Sequence, residues 1–263
     1  PTAWIRRRAW LWFWWRKVWC YFGYLTEGDV DMLALNKVRF QQGDFVLSAD
    51  FLVPTGARVA VIGPSGGGKS TFLNGIAGFI AADAGKVLWD GEVMPDHPGR
   101  RPLSILFQDN NLFPHLSVMD NVAVGISPDM RLSQAQREKV SAALDQVGLA
   151  DKSATYPRDL SGGQLGRVGL ARVLLRQRPL LLLDEPFSAL GPALKDEMLD
   201  VLRGILDATA TTALMVTHDP KDALAFANQA ILVADRCATA PQPIQQLFKA
   251  PPPALRAYLG SRT

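Results

Sequence analysis

The chain has 263 residues, 48% of them apolar and 20% charged, with a formal net charge of +3. That balance is ordinary for a globular protein of one or two domains, and a surplus of three charges is too small to argue for a nucleic-acid partner by itself. The two cysteines, Cys20 and Cys237, have no metal-ligand spacing and read as free thiols.

The chain opens on PTAWIRRRAWLWFWWRKVWCYFGYL, which holds six of the seven tryptophans. A membrane-spanning helix needs about 20 largely apolar residues. Here Arg16 and Lys17 interrupt the apolar run at its middle. A secretory signal also fits poorly, because no small-residue cleavage site follows. Met32 begins a segment, MLALNKVRF, that reads as a normal protein start. Residues 1–31 are therefore expected to lie outside the native working domain. A basic, Trp-rich helix on a membrane surface and an unstructured tail are the alternatives.

From Phe45 the apolar residues alternate, through Leu47, Ala49, Phe51 and Val53, with Ser48 and Asp50 on the other face. That period of two predicts a half-buried strand. After a Pro54-Thr55-Gly56 turn comes RVAVIGPSGGGKST, in which 59–62 predicts a short β-branched strand. Gly63 to Ser70 then fits G-x-x-x-x-G-K-[ST]. A helix is expected to follow to about Ile80, with Phe72, Leu73, Ile76 and Phe79 at helical spacing. Glycines let the backbone approach a phosphate chain closely, and the helix N-terminus adds partial positive charge. The candidate phosphate ligands are Gly63, Pro64, Ser65, Gly66, Gly67, Gly68, Lys69, Ser70 and Thr71. Lys69 supplies a point charge for β- and γ-phosphates. Ser70 offers a hydroxyl to Mg²⁺.

Within residues 133–151, SQAQREKVSAALDQVGLAD predicts an amphipathic helix capped by Ser133 and ended by Gly148, with Val140, Leu144 and Val147 on one face. The run RPLLLLDEP, 178–186, predicts a parallel strand buried on both faces and ending at two acids. Ligands of open α/β sheets bind at the carboxyl ends of strands, so both acids are expected to face the phosphate loop. Asp184 suits Mg²⁺, and Glu185, one residue on, could polarise the attacking water. A third strand, 211–217, leads to His218, which would reach the same edge. His97 and His115 lie in loops and are assigned no chemistry.

The segment LSGGQLGRVGLARVLL, 160–175, narrows the reading. With the phosphate loop, Gln108 in ILFQDNNLF, the acidic strand and His218 in this order, residues 32–263 resemble ABC-type ATPases. The fold implied is α/β: a P-loop NTPase, with a RecA-like core and an antiparallel β subdomain, plus an inserted α-helical subdomain. The core would take 32–108 and 166–263, the helical subdomain with the signature 109–165. The resemblance implies a head-to-tail homodimer, each ATP held between one copy's phosphate loop and the other's signature. In the signature Ser161, Gly162, Gly163 and Gln164 open a helix, and that end attracts phosphate. By resemblance Gln108 contacts Mg²⁺ or water and relays nucleotide state to a membrane partner. An aromatic near the N-terminus would stack on adenine; Phe40 is the first candidate and Phe45 the alternative.

Two positions depart from the family's pattern. Gly191 stands where an aspartate usually follows Ser-Ala-Leu, and Leu165 and Gly166 stand where polar or basic residues usually follow Gln164. A mid-helix glycine costs about 1 kcal/mol relative to alanine. Weakened but not absent hydrolysis is expected. The stretch RRPLSILFQDNNLFPHLSVMDNVAVG, 100–125, most resembles the ATP-binding subunits of bacterial thiamine importers, with iron and sulfate importer subunits next, and about 45 residues follow His218, which agrees with the compact thiamine type. That resemblance implies permease subunits in the membrane, a periplasmic solute-binding protein reached indirectly, no nucleic acid, and a peripheral place on the cytoplasmic face of the inner membrane. A non-transport ABC ATPase and a module that binds ATP without hydrolysing it are the other readings.

Overall fold

A computed structural model describes residues 32–259. The Trp- and Arg-rich stretch 1–31 lies outside the described residues.

Strand β1 (Met32–Gln42) and strand β2 (Phe45–Pro54) form an antiparallel hairpin in which Gln42 pairs with Phe45. The alternation expected from Phe45 is present: Leu47, Ala49, Phe51 and Val53 are buried while Ser48 and Asp50 are exposed. Strand β3 (Arg58–Ile62) leads into the phosphate loop, and the helix Lys69–Ala77 follows it. This helix is shorter than expected. Gly78 adopts the left-handed conformation at φ 87 and accepts the role of C-cap, with its N–H bonded back to the last turn. Phe79 therefore leaves the helical face; it is 54% exposed and packs on Phe107, ring centroids 5.5 Å apart.

Strand β4 (Ala82–Trp89) and strand β5 (Glu92–Val93) are joined by Asp90 and Gly91, both at positive φ, as a two-residue hairpin requires. Strand β6 (Leu103–Leu106), β7 (Leu180–Asp184), β8 (Thr212–Val216) and β9 (Gln229–Ala234) join β3 in a parallel block ordered β9-β3-β8-β7-β6. The short β10 (Cys237–Ala238) pairs with both β2 and β9 and links this block to the antiparallel one, β5-β4-β1-β2. A last short strand, β11 (Gln242–Pro243), pairs with β9.

Leu180 to Leu183 are all at most 2% exposed, because helices and the hairpin cover both faces of β7. Each such leucine contributes roughly 1.5–3 kcal/mol of burial. One core lies between the hairpin, the parallel strands and Phe72, Leu73 and Ile76 of the phosphate-loop helix. A second covers the opposite face, using the helices Pro192–Thr209, Pro220–Phe226 and Ile244–Lys249. A third, separate core contains Val118, Val122, Val140, Leu144, Val147 and Val168. It joins the helices Val118–Ala123, Gln134–Gln146 and Gly162–Leu175. Ser133 caps the middle one through a capping box with Gln136, and Gly148 follows it at φ 65, both as its sequence predicts. The helix Gly162–Leu175 faces two cores at once, giving Val168 and Ala171 to the third and Leu170 and Val173 to the second.

Candidate functional site

Beyond Ile62 the chain turns at Gly63, where φ is +152 and a Cβ would run into the Val233 carbonyl. No other residue fits there. Gly66 and Gly68 also have positive φ, and Gly68 is the N-cap of the helix Lys69–Ala77, with no side chain bonded to the helix's first N–H groups. Those donors are the ones an anion would take. Lys69 folds back over the loop, its Nζ donating to the Gly63 and Pro64 carbonyls at 2.9 Å each. Burial lowers the Lys69 pKa, and the charges of Glu185 and Asp184 oppose that shift.

Parallel register places the ends of three strands together. Leu106 pairs with Leu183, and Asp184 with Val216. Gln108, Glu185 and His218 thus stand just past one sheet edge. The Asp184 pKa is raised, first by burial and then by Glu185, against the pull of the nearby Ser70 hydroxyl and Lys69. Glu185 sits in the left-handed region at φ 48, with its N–H bonded to the Val216 carbonyl at 3.1 Å. Such a conformation costs of order 1–3 kcal/mol and clusters at functional sites. It turns Oε2 of Glu185 to 3.0 Å from His218 Nδ1. Gln108 is exposed in the turn after β6, which Asn110 closes onto the Phe107 carbonyl at 2.9 Å. Arg172, in the last turn of the helix Gly162–Leu175, donates to the Asn110 and Asn111 carbonyls at 2.6 and 2.8 Å.

One candidate is corrected here. Phe40 is 0% exposed, and a Cβ on Gly75 would lie 2.5 Å from its ring. It is a core residue with no free face for a base. The alternation of β1 buries Val38 and Phe40 alike, a signal that was readable in the sequence. Phe45, the alternative, is partly buried at the hairpin turn, and a Cβ on Gly68 would lie 2.7 Å from its ring. Thr71 Oγ1 lies 3.3 Å from Gln42 Oε1 and ties the same turn to the phosphate-loop helix. Gln42 drew no attention in the sequence, since nothing local marks it.

In the signature, Ser161 is the exposed N-cap of its helix. Its Oγ accepts from Gln164 N at 3.3 Å, and Gln164 Oε1 accepts from Ser161 N at 2.9 Å. This capping box takes up the Ser161 and Gln164 N–H groups, and those of Gly162 and Gly163, in the first turn, have no intrahelical acceptor. Leu190 packs on Gly163, where a Cβ would come within 2.8 Å of it. The helix runs unbroken through Leu165 and Gly166, and a Cβ on Gly166 would meet only ordinary contacts, the nearest at 3.6 Å. Gly191 is the extended N-cap of the helix Pro192–Thr209, with open space around it.

At the far end of the phosphate-loop helix lies Arg101, 8% exposed. Its guanidinium donates to the Gly75, Ile76 and Pro95 carbonyls at 3.1, 2.5 and 2.7 Å. A groove of about 630 Å³ runs beside the Gln108 turn, lined by Phe107, Phe113, Ile126, Arg172, Arg176 and Arg178 among others. Burial depresses the Arg172 and Arg176 pKa values, helped by the next arginine in each case.

Residues 46–188 match the family model described as ABC transporter. The chain belongs to the ABC transporter family. It is 57% identical over 230 residues to the thiamine import ATP-binding protein ThiQ of Cereibacter sphaeroides, covering 87% of this chain and 100% of that one. With the protein of the same name from a Ruegeria species it shares 50% identity over 231 residues, 88% of this chain and 100% of the relative. Among solved structures, the ATP-binding cassette MJ0796, a dimer in a post-hydrolysis state bound to ADP and Pi, superposes with a TM-score of 0.69 at 26% identity, covering 81% of this chain and 98% of that one. The α/β ABC ATPase fold expected from the sequence is thus the fold found. No helix among the described residues is long and apolar enough to cross a membrane.

Proposed function

We propose that this chain is the ATP-hydrolysing subunit of a bacterial thiamine importer. The observation that carries the reading is full-length similarity to proteins named for thiamine import, joined to a P-loop edge where Lys69, Asp184, Glu185 and His218 converge. The iron- and sulfate-type alternatives have no comparable support in these relatives.

The chemistry follows from the site. The free N–H groups after Gly68 and the Lys69 ammonium hold the triphosphate. Phe45 stacks on adenine. Glu185 orients the attacking water and accepts its proton, and His218, bonded to Glu185, donates to the γ-phosphate. Mg²⁺ fits the residues present: Ser70 and Asp184 offer hard oxygens, and burial beside Glu185 makes the Asp184 carboxylate a site where a cation would be welcome. Gln108 would complete that set. When bound, Mg²⁺ neutralises charge on the β- and γ-phosphate oxygens.

A second copy, head to tail, would offer its signature helix to the far side of the same triphosphate. The groove beside Gln108 suits a short permease helix, with Phe107 and Phe113 for an apolar face and three arginines for acidic or carbonyl groups. Transmembrane passage then belongs to the permease, the solute is delivered by a periplasmic binding protein, and this chain works at the cytoplasmic face.

The test is reconstitution of the full chain with a thiamine permease in vesicles. Thiamine, and not iron or sulfate, should stimulate ATP turnover severalfold when its binding protein is present. Equal turnover with all three solutes, or none with thiamine, would reject the solute assignment.

A further inference from the structure

The loop that leaves Glu185 does two things before it becomes the helix Pro192–Thr209. Ala189 and Leu190 pack on Gly162 and Gly163 of the signature, where added Cβ atoms would meet them at 3.6 and 2.8 Å. It then enters the helix at Gly191, an N-cap with no side-chain bond. In the first turn stands Lys195. A cation at a helix N-terminus opposes the partial positive charge already there, and lysines are seldom removed from water without a partner. Yet the Lys195 side chain is only 18% exposed, with Nζ 3.0 Å from Asp222 Oδ2 and 3.3 Å from Asp219 Oδ2.

Both carboxylates belong to the segment that follows His218. Asp219 donates its N–H to Thr217 Oγ1 at 3.1 Å and caps the helix Pro220–Phe226, and Asp222 is buried in that helix. Lys195, Asp222, Thr217, His218 and Glu185 line one small cavity of about 40 Å³. A continuous series of contacts therefore runs from the signature turn, through Leu190 and the start of the helix, to Lys195, the His218 loop and the Glu185 carboxylate.

We propose that Lys195 is a positioning residue. It fixes the loop carrying His218 against the helix that begins at the signature contact, so that engagement of the signature is felt at the Glu185–His218 pair of the same chain. With glycine at 191, this ion-paired lysine is the polar anchor of that helix start. The inference rests on the ATPase reading above.

Full-length chain carrying Lys195→Met or Lys195→Arg tests it, with Mg-ATP turnover measured per folded molecule and nucleotide affinity by titration. Lys195→Met should lower kcat about 10- to 100-fold, as misplacement of a catalytic group does, with KM changed less than about threefold. Lys195→Arg should restore most of kcat. If Lys195→Met does not fold, the double variant Lys195→Met, Asp222→Asn removes both charges and should fold and turn over slowly. A wild-type kcat in any folded variant lacking the Lys195 charge overturns the inference, as does a loss that Lys195→Arg fails to recover. An unmodified chain with no ATP turnover would overturn the ATPase reading and this inference together, whereas unchanged variants overturn this inference alone.

Discussion

His218 Nδ1 lies 3.0 Å from Glu185 Oε2, so the residues that follow two neighbouring parallel strands hold each other. Register pairs Asp184 with Val216, and Glu185, at φ 48 with its N–H on the Val216 carbonyl, then meets His218 two residues past the neighbouring strand. Glu185→Gln keeps the hydrogen bond but removes the proton acceptor. Turnover should fall about 10²- to 10⁴-fold, with ATP affinity retained in a nucleotide titration. Wild-type turnover in this variant would remove Glu185 from the role of base.

Phe40 and Phe45 should separate stability from binding. Phe40→Ala empties a fully buried site and should cost about 3–5 kcal/mol in denaturant unfolding. Phe45→Ala should leave the fold intact and weaken ATP binding by about 1–3 kcal/mol, the worth of a base stacked on an aromatic. Inorganic triphosphate, having no base, should bind both proteins alike. An equal loss for triphosphate would assign Phe45 to shaping the loop at Gly68 instead.

Asp184 should trade stability for function. Its pKa is raised from the ordinary value of 3.8 by burial and by Glu185. The folded state therefore binds this proton more tightly than the unfolded chain, and stability falls as pH climbs from 3.8 through the raised value. Asp184→Asn removes that loss. Without nucleotide, the variant should match the unmodified chain below pH 3.8, gain on it through the window above, and keep a constant advantage at neutral pH. The gain should appear as a raised Tm above that window and no change below it. Thermal melts across pH, with ATP turnover abolished in the variant, check both halves.

Gly191→Asp tests the departure from the family's pattern. The position is extended, with φ −69, and nothing lies within 4 Å of an added Cβ. The aspartate should be accepted with Tm unchanged or slightly raised, since it is also a good N-cap. Turnover in the assembled transporter should rise. Unchanged turnover would mean that the glycine does not weaken hydrolysis.

Much of this architecture could be read from the chain itself, for physical reasons that differ by element. The phosphate loop, β7 and the helix Gln134–Gln146 each carry their signal within a dozen residues: glycines before Lys69, an unbroken leucine run, a capping box. The relations between distant segments could not be read that way. Lys195 meets Asp219 and Asp222 only because helix and loop fold together, and Arg172 meets Asn110 and Asn111 across 62 and 61 residues of chain. Phe79 shows the limit of periodicity. Its spacing fits the helical face, but Gly78 ends the helix one residue earlier.

Arg101 alters what the phosphate-loop helix presents to its ligand. A nine-residue helix is about 13 Å long, short enough for its negative end to dull the positive one. Here three carbonyls at that end, two of them the helix's own, are met by a buried guanidinium carrying a full charge against roughly half a charge of opposite sign. With its negative end met in this way, the helix offers its positive end to the triphosphate less opposed by its own far carbonyls.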